Sequence, residues 1–209
     1  MSHRAVIFDL GGVILDSPLH AIARFERERD IEAGFVNRVV VGAGHEGAWA
    51  RLERGDLSLE AFFTAFERDC EAAGGHLCAR DLMECIAAAA APRPRMLEAV
   101  RRIRAAGLCA AALTNNWVGD EVGTNVLKPH FDAFVESSVV GLRKPDPQIY
   151  RHACEAIGIA PSEAIFLDDI GRNLKAARAL GMATIKVDDP DDALRELESL
   201  LDLPLLDGP

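Results

Sequence analysis

The chain has 209 residues, enough to bury a substantial core as one large domain or as a core carrying an insertion. Apolar residues make up 49% and charged residues 27%, ordinary for a soluble globular protein. The net charge of -10 argues against a nucleic acid or an anionic membrane as partner, because both require basic patches. No apolar run approaches transmembrane length, and Met1-Ser2-His3-Arg4 leads into a strand and does not read as a signal peptide. A cytoplasmic location is therefore expected. Cys70, Cys78, Cys85, Cys109 and Cys154 are odd in number and scattered, with no C-x-x-C pair. They read as reduced core thiols without chemistry.

Ala5-Val6-Ile7-Phe8 is a short apolar run of the kind that forms a buried parallel strand, and it ends on Asp9. Gly11 and Gly12 then allow a tight turn and close backbone approach. In open α/β sheets ligands bind beyond the carboxyl ends of the strands, so an acid at that point faces a ligand. From about Asp16 to Ala91 the pattern is helical, with stretches at Ala21 to Arg29 and Leu59 to Ala73 and an alanine-rich run at Ile86 to Ala91. No strand is predicted within it. Some seventy residues far exceed a single crossover, so residues 16–91 are expected to form a helical insertion hinged near Leu15 to Pro18 and Ala91 to Pro94. The alternative is that these helices pack on the sheet within one domain.

Beyond the insertion, apolar runs alternate with helical stretches. Met96 to Ala106 ends at Gly107, Pro147 to Ile157 at Gly158 and Asn173 to Leu180 at Gly181, each a good helix stop. Between them Leu108 to Leu113 leads into Thr114-Asn115-Asn116, and Phe131 to Val135 forms a shorter strand. Ala164 to Leu167 leads into Asp168-Asp169, and Ala183 to Val187 into Asp188-Asp189-Pro190. Alternation of this kind predicts βαβ units and a parallel sheet. The expected fold is α/β: a Rossmann-like core of residues 1–15 and 92–209, with a helical cap of residues 16–91 inserted after the first strand.

The polar strand ends form a set. A carboxylate such as Asp9 can attack phosphorus and hold the phosphoryl group, splitting one displacement into two. Facing a dianionic phosphate it needs charge neutralisation, and Mg²⁺ suits oxygen ligands of this kind. Asp168-Asp169 can bring a second carboxylate, Lys144 an ammonium, and Thr114 and Asn115 hydroxyl and amide donors. Taken singly, these residues read equally well as helix caps, turn formers or surface charges.

In this order the motifs Phe-Asp-Leu-Gly-Gly-Val, Leu-Thr-Asn-Asn, Lys-Pro-Asp-Pro-Gln-Ile-Tyr and Phe-Leu-Asp-Asp-Ile-Gly-x-Asn-Leu resemble those of the haloacid dehalogenase-like hydrolase superfamily. Within it the chain is most similar to the N-terminal phosphatase domain of soluble epoxide hydrolases and to the related domain of acyl-CoA dehydrogenase-like fusion proteins. That resemblance implies Asp9 as nucleophile and Mg²⁺ held by Asp9, Asp169 and the Gly11 carbonyl. It also implies Thr114 and Asn115 on the phosphate of a small organic substrate, Lys144 as bridging cation and Asp168 in support. Most phosphatases of the superfamily carry a second Asp two residues after the nucleophile, as general acid. Here that position is Gly11, so slowed turnover on poor leaving groups is expected, and Asp16 is a remote substitute. A 2-haloacid dehalogenase and a catalytically idle binding module are the alternatives. His45, Glu46 and Trp49, expected in a glycine-flanked loop able to close over the substrate, are candidate specificity residues of the cap. His20, His76, His130 and His152 show no metal-ligand spacing. Oligomeric state is left open.

Overall fold

A computed structural model of the chain describes residues 3–117 and 124–206. Strand β1 (Ala5–Phe8) is wholly buried, and its side chains alternate between two cores. Val6 and Phe8 pack on one face of the sheet with Met96, Val100 and Leu194, while Ile7 packs on the other with Tyr150, Phe166 and Leu174. A strand covered on both faces belongs in the middle of a parallel sheet, and β1 lies there. The remaining strands are β2 (Cys109–Thr114), β3 (Ala133–Glu136), β4 (Ala164–Asp168) and β5 (Ala183–Lys186). All pair in parallel in the order β3-β2-β1-β4-β5. The chain moves outward on one side of β1 and then crosses to the other. That reversal opens a crevice at the carboxyl end of β1.

Five helices separate β1 from the rest of the sheet: α1 (Pro18–Glu28), α2 (Phe35–Ala43), α3 (Ala48–Glu53), α4 (Leu59–Ala72) and α5 (Ala79–Ala89). They pack around a core of their own, centred on Phe25, Phe62, Phe66 and Leu82. Phe62 and Phe66 stack at 5.2 Å and both are fully buried, a burial worth roughly 1.5–3 kcal/mol for each side chain. These helices form the expected inserted cap. Three of their N-termini, those of α2, α3 and α5, are closed from a distance. Glu26 accepts from the Gly34 and Val36 amides at 2.7 and 2.8 Å, Asp69 from the Ala48 amide at 2.8 Å and Glu67 from the Ala79 amide at 2.9 Å. Each carboxylate thereby meets the positive end of a helix.

The two connectors that join cap to sheet run side by side. Leu15 forms an antiparallel bridge with Pro92, the Asp16 amide donates to Ala91 and the Arg93 amide to Ile14. Arg93 also donates to the Gly12 carbonyl at 2.7 Å and reaches Asp16 Oδ1 at 3.3 Å. The sheet is completed by α6 (Pro94–Ala105), α7 (Ser137–Val140), α8 (Pro147–Ala156), α9 (Gly171–Ala179) and α10 (Pro190–Leu201). No helix among the described residues is long and apolar enough to cross a membrane.

Two expectations need correction. Cys70 and Cys154 are buried, and burial pushes their thiols up to about 12 and about 11, but Cys78 is exposed and Cys85 and Cys109 are half-buried. Core packing therefore accounts for two of the five. The stretch around His45 is an ordered turn and not an open loop. Gly44–Glu46 forms a 3₁₀ turn and Trp49 lies on α3. His20, His76, His130 and His152 are all exposed.

Candidate active site

Register brings the acids together. Phe8 pairs with Leu167, so Asp9 and Asp168 leave neighbouring strands side by side. Carboxylate oxygens of Asp9, Asp168 and Asp169 lie within 4.8 Å of one another. Lys144 Nζ sits between two of them, 2.8 Å from Asp9 Oδ1 and 2.8 Å from Asp168 Oδ2, with only 1% of the residue exposed. Three carboxylates facing one ammonium leave an uncompensated double negative charge when all are ionised.

Burial and charge pull these groups in opposite directions. Burial pushes Asp9 well above the usual carboxylate range, Lys144 opposes this, and Asp168 and Asp169 add to it. Asp169 is raised by burial and by Asp168. For Lys144 burial works against the charge, but Asp168 and Asp9 outweigh it, and its pKa is held above the ordinary value. The lysine is therefore charged.

The two adjacent acids have different surroundings. Asp168 is saturated: the Ile170 amide donates to Oδ1 at 2.7 Å, and Asn173 Nδ2 donates to both oxygens at 3.1 Å. Among the described residues Asp169 receives only the Ser17 hydroxyl from side-chain donors, at 3.2 Å. Asp9 Oδ1 accepts from the Leu10 amide at 2.7 Å as well as from Lys144. Among the described residues no donor reaches Asp9 Oδ2. One oxygen of Asp9 is fixed and the other is unengaged.

Gly12 makes room for this arrangement. Its φ is +79°, and a Cβ there would lie 2.1 Å from Asp169 Oδ2. Gly11 has no such backbone demand, and a Cβ would meet only the Pro18 ring at 3.1 Å. The special backbone of the turn therefore belongs to Gly12, one of the two glycines expected to allow it, while Ser17 and Asn173 complete the cluster and have no role in the sequence reading. The Asp168-to-Asn173 spacing was available as a signal, since it places Asn173 on the first turn of α9 beside the strand end.

A cavity of about 470 Å³ lies between cap and sheet, within the range of roughly 300–1,000 Å³ usual for small-molecule sites. Leu10, Gly11, Thr114 and Asn115 line its sheet end; Leu19, Ile22, Val36, Val40, Trp49 and Ile86 line it on the cap. Thr114 and Trp49 therefore reach the cavity. Trp49 also packs edge-on to Phe62 and Phe66, so core and cavity share it. His45 and Glu46 do not line the cavity. Their side chains are 71% and 87% exposed and bond to each other at 3.1 Å. Asn115 lines the cavity, but both ends of its amide are committed. Oδ1 accepts from the Lys144 amide at 2.8 Å, and Nδ2 donates to the Lys144 carbonyl at 3.1 Å. Its side chain holds the lysine loop instead of offering a free donor. Asp16 lines the cavity with its carboxylate paired to Arg93.

The chain matches the family model for haloacid dehalogenase-like hydrolases over residues 3–181. It is 39% identical to acyl-CoA dehydrogenase family member 10 of Mus musculus, over 98% of this chain and 20% of that protein. It is 37% identical to bifunctional epoxide hydrolase 2 of Sus scrofa, over 100% of this chain and 40% of that protein. The chain thus spans between a fifth and two fifths of the length of these relatives. The sesquiterpene phosphatase astK of Aspergillus oryzae is 24% identical, over 95% of this chain and 96% of its own length. With the strand-end acids, the buried lysine and the inserted cap already in place, the match along the sheet and cap makes this chain a member of the haloacid dehalogenase-like hydrolases.

Proposed function

We propose that the chain is a Mg²⁺-dependent phosphatase for a small organic phosphate, working through a phosphoryl group held on Asp9. The observation that carries this reading is the state of Asp9: one oxygen is pinned by Lys144 and the Leu10 amide, and the other is unengaged within the acidic cluster. A nucleophile must be oriented and still possess a free lone pair. In the first step the free oxygen of Asp9 bonds to phosphorus as the ester P–O bond breaks, and the leaving oxygen departs with the bonding electron pair and takes its proton from water. In the second, water attacks the phosphorus of the acyl phosphate, and inorganic phosphate leaves with Asp9 restored. Lys144 stays protonated throughout and steadies both Asp9 and a phosphate oxygen. Thr114 donates its hydroxyl to the transferring group.

The donor set fits a hard divalent cation. It offers carboxylate oxygens only, without clustered His or Cys, and it carries the surplus negative charge that such an ion would balance. Asp9, Asp169 and the Gly11 carbonyl would hold Mg²⁺. Bound there it would neutralise the substrate phosphate and keep Asp9 ionised against the effect of burial. Asp168, already saturated, supports Lys144. Turnover is expected to fall to background in excess chelator and to return with Mg²⁺. Full activity in chelator, together with halide release from a 2-haloacid, would move the assignment to a dehalogenase.

Residues 1–15 and 92–209 form the catalytic core on this reading, and residues 16–91 form the cap that selects the organic part. The cavity wall on the cap is mostly aliphatic and aromatic, with Asn37 and Glu53 the polar members on its helices, so the preferred phosphate carries a largely apolar body. A phosphatase relative named for a sesquiterpene substrate is consistent with that preference.

Gly11 leaves the departing oxygen without a nearby acid, and Asp16 is held by Arg93. Rates should therefore depend steeply on leaving-group pKa, with aryl and acyl phosphates ahead of alkyl phosphates. Gly11→Asp meets no backbone obstacle beyond a small shift of Pro18. It is expected to raise alkyl phosphate turnover by about 10-fold or more, within the ~10²–10⁴-fold span of general acid catalysis, and to change aryl turnover little. A flat dependence on leaving group in the unmodified protein would show that another residue delivers the proton.

A further inference from the structure

Glu53 is a cap residue with partners on the sheet side. It closes α3, and its side chain is 11% exposed. Oε2 accepts from Arg143 Nε at 2.6 Å and from Asn115 Nδ2 at 3.3 Å, while Oε1 accepts from the Trp49 indole at 3.1 Å. Arg143 directly precedes Lys144 in the chain. Asn115 brackets the Lys144 peptide with both ends of its amide. A single cap carboxylate thus engages the residue before the buried lysine and the side chain that fixes that lysine's backbone. Two residues on, Gly55 approaches the sheet side so closely that a Cβ would lie 2.5 Å from the Ser138 carbonyl. Cap and core touch here at backbone distance.

We propose that the Glu53–Arg143 ion pair is the latch that holds the cap closed over the cavity, and that Glu53 is thereby a positioning residue for Lys144. With the cap open, Arg143 and the Asn115 amide lose their common acceptor, and the segment carrying Lys144 loses two of its restraints. With the cap closed, the pair and the Trp49 N–H are satisfied together and the lysine is held against Asp9. Cap closure and assembly of the site become one event, as in enzymes whose lids complete the catalytic group. The positioning effect rests on the phosphatase reading; the latch itself does not.

Two measurements separate these parts. The chain has two tryptophans, Trp49 and Trp117, and both line the cavity. Acrylamide quenching of their fluorescence reports cap opening without any substrate. Glu53→Gln is expected to increase quenching, and Arg143→Lys to do so less strongly. With 4-nitrophenyl phosphate and Mg²⁺, Glu53→Gln is expected to lower kcat between about 10- and 100-fold through misplacement of Lys144. KM should change by a smaller factor than kcat, because the sheet end of the cavity, Thr114 included, keeps its contacts with the phosphate. Glu53→Gln combined with Arg143→Met should be no worse than either change alone, since both remove one interaction. Unchanged quenching in Glu53→Gln overturns the latch, and a lower Tm with kcat retained overturns the positioning role. Should Glu53→Gln fail to fold, Arg143→Lys decides by the same two readouts. If the unmodified protein does not hydrolyse 4-nitrophenyl phosphate, the phosphatase reading fails and quenching alone decides the latch.

Discussion

Asp9→Asn is expected to lower phosphatase turnover by on the order of 10⁴-fold or more while the fold survives. The amide keeps the size of the carboxylate, and its oxygen can still accept from Lys144 and the Leu10 amide. It lacks the charge that attacks phosphorus. Stability moves the other way from activity. Burial raises the Asp9 pKa in the folded chain, so the folded state binds this proton more tightly than the unfolded one. The stability tied to that proton is present below the ordinary carboxylate value and is lost as pH rises toward the raised one. At neutral pH in chelator, the Asn variant should therefore melt no lower than the unmodified protein. Wild-type turnover in Asp9→Asn would end the proposed mechanism, whereas a much lower Tm would show that the charge holds the fold.

Gly12→Ala is expected to lower Mg²⁺ affinity by about 10- to 100-fold, the range seen when supports of a metal ligand are disturbed. The added methyl would lie 2.1 Å from Asp169 Oδ2 and 2.4 Å from its Cγ, so that carboxylate has to move. The left-handed backbone at φ +79° adds about 1–2 kcal/mol of strain for a residue with a side chain. Gly107→Ala provides the control, because it carries the same left-handed strain at φ +82° with nothing within 4 Å of the added methyl. Calorimetric titration with Mg²⁺ separates the two variants. Equal affinities would show that Asp169 is not a ligand.

The sheet was legible because its three central strands, β1, β2 and β4, are buried on both faces and end in polar clusters. Ala5–Phe8 lies where its apolar run predicts, and β4 extends the predicted Ala164 to Leu167 by Asp168. Helices with local stops, such as Pro147–Ala156 before Gly158, were equally plain. By contrast α2 and α3 went unread. Their N-cap residues are Gly34 and Gly47, which offer no side-chain acceptor, and the caps come from Glu26 and Asp69 elsewhere in the chain. A start signal supplied through space leaves little trace in a local window. α10 was not read either, although Asp189 and Pro190 announce it locally and Asp189 does accept from the Asp191 and Asp192 amides. Of the residues gathered in the cluster, Asp9 and Asp168-Asp169 were readable from strand ends, whereas Lys144 follows α7 and was readable only through the motif Lys-Pro-Asp-Pro. Glu53 was not, because its meaning depends on Arg143, which lies 90 positions away.

The paired connectors bear on how such a chain diversifies. Leu15 and Pro92 are bridged, so the intervening helices leave and rejoin the sheet at a single point. An insert tethered at one place can be replaced by another of different length without altering strand register, since loop length adds little to the closure entropy. Recombination at that junction would give a lineage new substrate preferences while inheriting the same chemistry. The exchange carries one condition in this chain. Any replacement cassette has to bring its own acid to meet Arg143, or the inherited lysine loop loses its outer support.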